Sequence, residues 1–276
     1  MPDGTAGLGG SILFTTAIRR GFAFACFSLL PISGITAELA IVIDDLGYHA
    51  DRAERILHLP GPLTLAVLPN TPGGVQLAQR APGFGKEVIL HQPMEATPSR
   101  WALREPGTLM ASMSAQEFDR TFEAALDRLP NLAGVSNHTG SLLTSSPAAM
   151  QRLMAIVKKR NLYFLDSRTT AATVALDVAE ANLVPATHRD VFLDNVISLE
   201  AIHSAFKDAI AKARKNGKAI VIGHPHEATI RYLEHVLYAL PSDITLVSAG
   251  SLAHSSYPAT AVPQQVAMSP HRALAQ

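Results

Sequence analysis

The chain has 276 residues, is 47% hydrophobic and balances 23 Lys plus Arg against 23 Asp plus Glu. That length and apolar content can bury a substantial core in one α/β domain or two small ones. With no net charge and no basic run, the sequence lacks the electrostatic footprint of a nucleic-acid binder, so nucleic acid is excluded as a partner.

In chain order, the first segment reads as a signal peptide over residues 1–37. Arg19 and Arg20 precede the apolar run Gly21–Leu30, and Ile35-Thr36-Ala37 supplies a small-residue ending. The run is shorter than the ~20 residues a spanning helix needs and is followed by Pro31, which favours export with cleavage over an inner-membrane anchor made by an uncleaved segment. Cys26, the only cysteine, sits inside this run and reads as signal filler rather than a lipidation site. A processed chain therefore has no thiolate ligand, disulfide or cysteine nucleophile, and its chemistry falls to His, Asp, Glu, Ser or Lys. Gly7-Leu-Gly-Gly10 precedes no βα turn, so a phosphate-loop reading fails.

Residues 38–253 alternate short apolar runs with helix-like segments, the pattern of βα units on a largely parallel sheet. Strands are expected near 39–44, 63–67, 87–91, 133–136, 162–166, 184–186, 218–223 and 244–248. Helices are expected near 49–58, 73–80, 114–129, 147–160, 170–181, 198–215 and 226–239. Ser114-Ala-Gln-Glu117 is a capping box, and Phe118, Phe122, Ala125 and Leu129 share one helical face behind it. About seven parallel strands with crossover helices fit a small (β/α) barrel, and a doubly wound open sheet is the competing architecture. Residues 254–276 are rich in Ser, Pro, Ala and Gln without periodicity and read as a disordered tail.

Five of these apolar runs end in a side chain able to bind metal or move a proton: Ile41–Asp44 with Asp45 behind it, then runs closing on His91, His138, Asp166 and His224. Both candidate architectures bind ligands at the carboxyl ends of strands. A hydrolytic metal site needs about three imidazole or carboxylate ligands and an open position for water. Asp45, His91 and His138 meet that need, with Asp44 as candidate general base and His224 as candidate general acid.

Each residue also has a plainer reading. An Asp-Asp pair after a strand is commonly a turn or cap, His91 can be a packed histidine, and Asn137-His-Thr-Gly-Ser141 can be a hydrogen-bonded turn. Asp166-Ser167-Arg168 holds a salt bridge or orients a ligating histidine, the structural role being favoured. Arg189 pairs with an active-site carboxylate or binds an anionic substrate group. Glu95 near the mouth binds substrate or faces solvent, and Trp101 stacks on a sugar or anchors its loop. His226 is placed at a helix N-terminus. His49, His58, His188, His203, His235 and His254 lack partners in sequence and read as surface or packing residues. The coincidence of five polar strand ends at one rim favours the site over the plain readings.

The motifs Ile43-Asp-Asp-Leu-Gly47, His91-Gln-Pro-Met-Glu95, Asn137-His-Thr-Gly-Ser141, Phe164-Leu-Asp-Ser-Arg-Thr169, Val191-Phe-Leu-Asp-Asn195 and Gly223-His-Pro-His226 together resemble the divergent polysaccharide deacetylase family. The resemblance spans residues 38–253. It implies a distorted (β/α) barrel, export to the periplasm or cell exterior, and a hydrolase acting on acetylated sugars of a cell-envelope polysaccharide. By the same resemblance, Asp44 is the base, Asp45 and His138 bind a divalent metal, zinc being favoured, and His224 is the acid. Leu142 stands where the wider superfamily has a second metal-binding histidine, so His91 is the best-placed replacement. The alternatives are a non-catalytic envelope protein that binds glycan or a protein partner on the same scaffold, and a phosphoesterase using two metals.

Overall fold

The computed structural model describes residues 36–97 and 105–255. Residues 1–35 of the segment read as a signal, Trp101 and the tail beyond 255 lie outside the described residues, whereas Ala37, the last residue of that segment, opens the first strand. Nine strands alternate with eight helices: β1 (Ala37–Leu46), α1 (Ala50–Leu57), β2 (Thr64–Val67), α2 (Gly74–Arg80), β3 (Glu87–Met94), α3 (Ala115–Arg128), β4 (Leu132–Thr139), α4 (Pro147–Lys159), β5 (Tyr163–Asp166), α5 (Ala175–Ala181), β6 (Ala186–His188), β7 (Val191–Phe192), α6 (Leu199–Asn216), β8 (Lys218–Gly223), α7 (Glu227–Val236), β9 (Ile244–Val247) and α8 (Ala249–Ser255).

All strand pairs are parallel, in the order β6-β5-β4-β3-β2-β1-β8-β7. The two ends of that order, β6 and β7, are consecutive in the chain and separated only by Arg189 and Asp190. Arg189 N donates to Asp166 O on β5, and Asp190 N donates to Ile220 O on β8. One segment thus changes partners and closes the ring, giving a distorted (β/α) barrel and excluding the open sheet. β9 pairs with residues 37–40 of β1, while β2 pairs with residues from 42 onward. Because β8 occupies the other side of β1, β9 and β2 share one side, which is a further distortion of the barrel.

Side-chain alternation divides the molecule into two layers. Ala40, Val42, Ala66, Ile89, Tyr163, Leu165, Ile220 and Ile222 form an inner cluster that includes Ala249, Leu252 and Ala253 of α8. Their neighbours of opposite parity, among them Leu39, Ile41, Leu90, Val135, Phe164 and Val221, pack outward against Phe118, Phe122, Leu153, Phe206 and Leu233 of the helices. Ser114 Oγ accepts the Glu117 N–H at 3.2 Å, so the capping box opens α3 and lays Phe118 and Phe122 on the barrel. Truncating the fully buried Phe122 to alanine would cost about 3–5 kcal/mol by leaving a cavity.

α8 was not anticipated from the sequence, and it runs past the expected domain end at 253. It plugs the end of the barrel opposite the site: Thr64 Oγ1 accepts Ala249 N–H at 2.9 Å, and Glu87 Oε1 accepts from Thr64 Oγ1, Tyr163 OH and Gly250 N. Burial holds the Tyr163 hydroxyl well above its ordinary pKa, so it serves as a donor here. Two boundaries also differ from expectation. The sixth strand lies at 186–188 rather than 184–186, and α5 starts at Ala175 rather than near 170. Residues before Ala175 are held in a loop because Thr173 Oγ1 bonds both the Asp166 carboxylate and the Ala175 N–H.

Candidate metal and acid–base site

The inward rows of the barrel continue into polar side chains at the carboxyl rim. Asp44 follows Ala40 and Val42 on β1, His91 follows Ile89 on β3, His138 follows Ser136 on β4, and His224 follows Ile220 and Ile222 after β8. Strict alternation would aim Asp45 at the helices. Instead Asp45 adopts a left-handed φ of 57°, where the register between β1 and β2 slips, and this turn brings two successive carboxylates to one place. Gly47 completes the turn at φ 123°, and a Cβ there would fall 1.9 Å from Thr71 Oγ1.

Asp45 Oδ1 lies 2.8 Å from His138 Nδ1 and 3.2 Å from His91 Nε2. The two imidazole centroids are 5.0 Å apart at 71°. Asp45 Oδ1 is a buried oxygen within ion-pairing distance of both nitrogens but without a well-aligned hydrogen bond to either, so the three ligand atoms converge on one point. Burial alone would raise the Asp45 carboxyl, but His138 and His91 outweigh it and hold the group well below the usual carboxylate range. Asp44 Oδ2 sits 3.5 Å from His91 Nε2, and its Oδ1 is buried without a partner. Burial pushes Asp44 above its ordinary value despite the pull of His91 and His224.

His91 Nδ1 contacts Ser136 Oγ at 2.7 Å, which fixes the ring with Nε2 toward the carboxylates. His224 Nε2 lies 3.8 Å from Asp45 Oδ2, and its Nδ1 lies 2.9 Å from Asp194 Oδ1. Asp194 Oδ2 accepts the backbone N–H of His224 and the hydroxyl of Thr229. Burial lowers the His224 ring, but Asp194 together with Asp44 more than offsets this and brings it up to about 9. Phe192 lies 5.2 Å from the His224 ring, and the Arg189 guanidinium lies 5.0 Å from the Phe192 centroid.

The remaining residues singled out in the sequence hold the surroundings. Arg189 donates to Ser167 O and Arg168 O; burial lowers its pKa, and the charges of Asp44 and Asp166 act against that. Asp166 shares the outward parity of Phe164 and accepts from Arg168 N and Thr173 Oγ1. Asn137 bridges Thr139 O and Ser167 N, tying the ends of β4 and β5. Glu95 accepts Ala111 N through Oε2 and the N–H groups of Leu142 and Leu143 through its backbone carbonyl. His226 is the N-cap residue of α7 without a side-chain cap bond, its ring 5.9 Å from that of His224. Arg168 is exposed, with a left-handed φ of 49°.

Three contributors were given no role from the sequence: Ser136, Thr229 and Asp194, the last quoted only within the motif Val191–Asn195. Asp194 carried a readable signal, because Val191-Phe-Leu-Asp194 is one more apolar run ending in a carboxylate. The ligand atoms of Asp45, His91 and His138 lie within 4.8 Å of one another, as do those of Asp194, His224 and His226. The first group, with one carboxylate oxygen between two imidazole nitrogens, fits a divalent cation.

A parallel barrel closed by one partner-switching segment, with a carboxylate–histidine cluster at its carboxyl rim, is the deacetylase type of (β/α) barrel. The chain belongs to the divergent polysaccharide deacetylase family, whose model matches residues 41–253. It is 40% identical over 250 residues to the uncharacterized protein YibQ of Escherichia coli, covering 91% of this chain and 78% of that one. An uncharacterized protein of Haemophilus influenzae is 36% identical over 241 residues, covering 87% and 82%. Among solved structures, an uncharacterized protein of Agrobacterium tumefaciens superposes with a TM-score of 0.75 at 25% identity, over 79% of this chain and 89% of that chain.

Proposed function

We propose that the protein is an exported, metal-dependent hydrolase that removes acetyl groups from a cell-envelope polysaccharide or a related glycan. The observation that carries this reading is the buried Asp45 Oδ1, set between His138 and His91 with Asp44 beside it and His224 across it. Asp45, His91 and His138 would hold the metal. A divalent cation there, zinc being favoured by the donor set, supplies Lewis acidity to a water and to the acyl carbonyl.

Asp44 takes the proton from the attacking water, a task suited to a carboxylate whose basicity burial has raised. His224, held protonated by Asp194, gives its proton to the departing amine or alkoxide as the bond to the acetyl carbon breaks. Water is consumed, and acetate and the free sugar amine or hydroxyl are released. Export is supported by the charged–apolar–small order of residues 19–37, and an uncleaved inner-membrane anchor is the alternative.

The test is acetate release from a panel of acetylated glycans, with and without a chelator. The reading requires release that chelation stops and added metal restores. A protein that binds metal yet releases no acetate from any acetylated glycan is instead the non-catalytic glycan- or protein-binding envelope protein.

A further inference from the structure

A second set of ligand-type side chains converges beside the Asp45 group, where β7 and β8 end. The ligand atoms of Asp194, His224 and His226 lie within 4.8 Å of one another. Three local features build this set. Asp194 follows β7 and His224 follows β8, and the pairing of those strands brings their ends side by side. Gly223 keeps the space between them open, since a Cβ there would stand 3.3 Å from Asp194 Oδ2. Pro225 stiffens the backbone between the two histidines, and the His226 N–H donates to His224 O at 2.8 Å, a tight turn that leaves the rings 5.9 Å apart.

His226 has no structural duty that explains its ring. It is the N-cap residue of α7 but makes no side-chain cap bond, and its ring nitrogens enter no hydrogen bond or ion pair among the described residues. Two imidazoles and a carboxylate suit a divalent transition cation, whereas magnesium and calcium take oxygen ligands.

The two groups differ in what they give up on binding. Asp45 Oδ1 has no well-aligned hydrogen bond to lose. Asp194 is already engaged: Oδ1 lies 2.9 Å from His224 Nδ1, and Oδ2 accepts from His224 N and Thr229 Oγ1. A cation entering the second group replaces the contact between Asp194 and the His224 ring. A positive charge also stands close by, because Arg52 Nη1 donates to Pro225 O at 3.1 Å. Both features weaken the second group relative to the first. Filling it also reaches the reaction centre, since a His224 ring held by a cation is not free to carry a proton to the departing group.

We propose that Asp194, His224 and His226 form a second, weaker site for a zinc-like divalent cation, and that filling this site switches the hydrolase off. The site stands on the geometry, and its effect on rate rests on the deacetylase reading.

The test is calorimetric titration of the metal-free full chain with zinc, in the wild type, His226→Gln and His226→Ala, with Tm recorded for each. The wild type should take up a second equivalent at least about tenfold more weakly than the first. Both variants should keep the first equivalent and lose the second, with Tm unchanged because no cap bond is removed. A second equivalent absent from the wild type, or retained unchanged in both variants, would overturn the site. Acetate release from an acetylated glycan is followed over the same zinc range. In the wild type it should rise with the first equivalent and fall at least about tenfold with the second. In the variants the falling limb should be missing relative to each protein's own maximum, and a limb that persists in both would overturn the inhibitory role. No acetate at any zinc level counts against the deacetylase and leaves the calorimetry to decide the site; acetate release with only one equivalent ever bound does the reverse.

Discussion

His91 and Ser136 are register partners on the adjacent strands β3 and β4, and the His91 Nδ1 atom lies 2.7 Å from Ser136 Oγ. The pairing places a small hydroxyl where the imidazole needs a partner and leaves Nε2 aimed at Asp45. Groups that orient metal-binding histidines this way typically contribute 10–100-fold in metal affinity. Ser136→Ala should therefore weaken metal binding by roughly that factor. Activity at saturating metal should largely return, as a metal titration of activity would register; unchanged affinity would show that the contact does not orient His91.

In the proposed mechanism Asp194 acts on the chemistry through His224. Burial lowers the His224 pKa and the Asp194 carboxylate raises it, the net value being about 9. Replacing Asp194 by Asn removes the charge that favours the imidazolium, so His224 loses its proton at lower pH. The alkaline limb of the kcat profile should move toward neutrality in Asp194→Asn, with kcat falling by about 10²-fold. An alkaline limb that stays in place would remove His224 from the role of acid.

Gly47 is required by shape. At φ 123° a side chain is disfavoured, and its Cβ would fall 1.9 Å from Thr71 Oγ1. Gly47→Ala should cost at least about 2 kcal/mol, lowering Tm by about 4–8 °C. Because the same turn presents Asp45, metal affinity should fall as well. Thermal unfolding with metal titration checks both effects.

Much of this arrangement was legible in the sequence because strands announce themselves as apolar runs and their ends fall at one rim. The period of two then separates residues that composition treats alike. His91 and His224 lie on inward rows, whereas Asp166 follows Phe164 outward and is used to shape its own loop. Asp45 breaks the alternation through a left-handed turn that no periodicity reveals. Asp194, quoted only as part of a motif, and Ser136 were given no role for another reason: each contacts a histidine 30 or more residues away in sequence, so its role is a property of the pairing. β7, only two residues long, is defined by its bonds to β8 and carries too little pattern to be read.

The division of labour between Asp44 and Asp45 is the centre of the account, and Asp44→Asn tests it most directly. The wild type and this variant are compared for bound metal and for acetate released from an acetylated glycan that the wild type turns over. The account predicts equal metal in both proteins and acetate release reduced at least about 10²-fold in the variant. Undiminished acetate release from Asp44→Asn would contradict it.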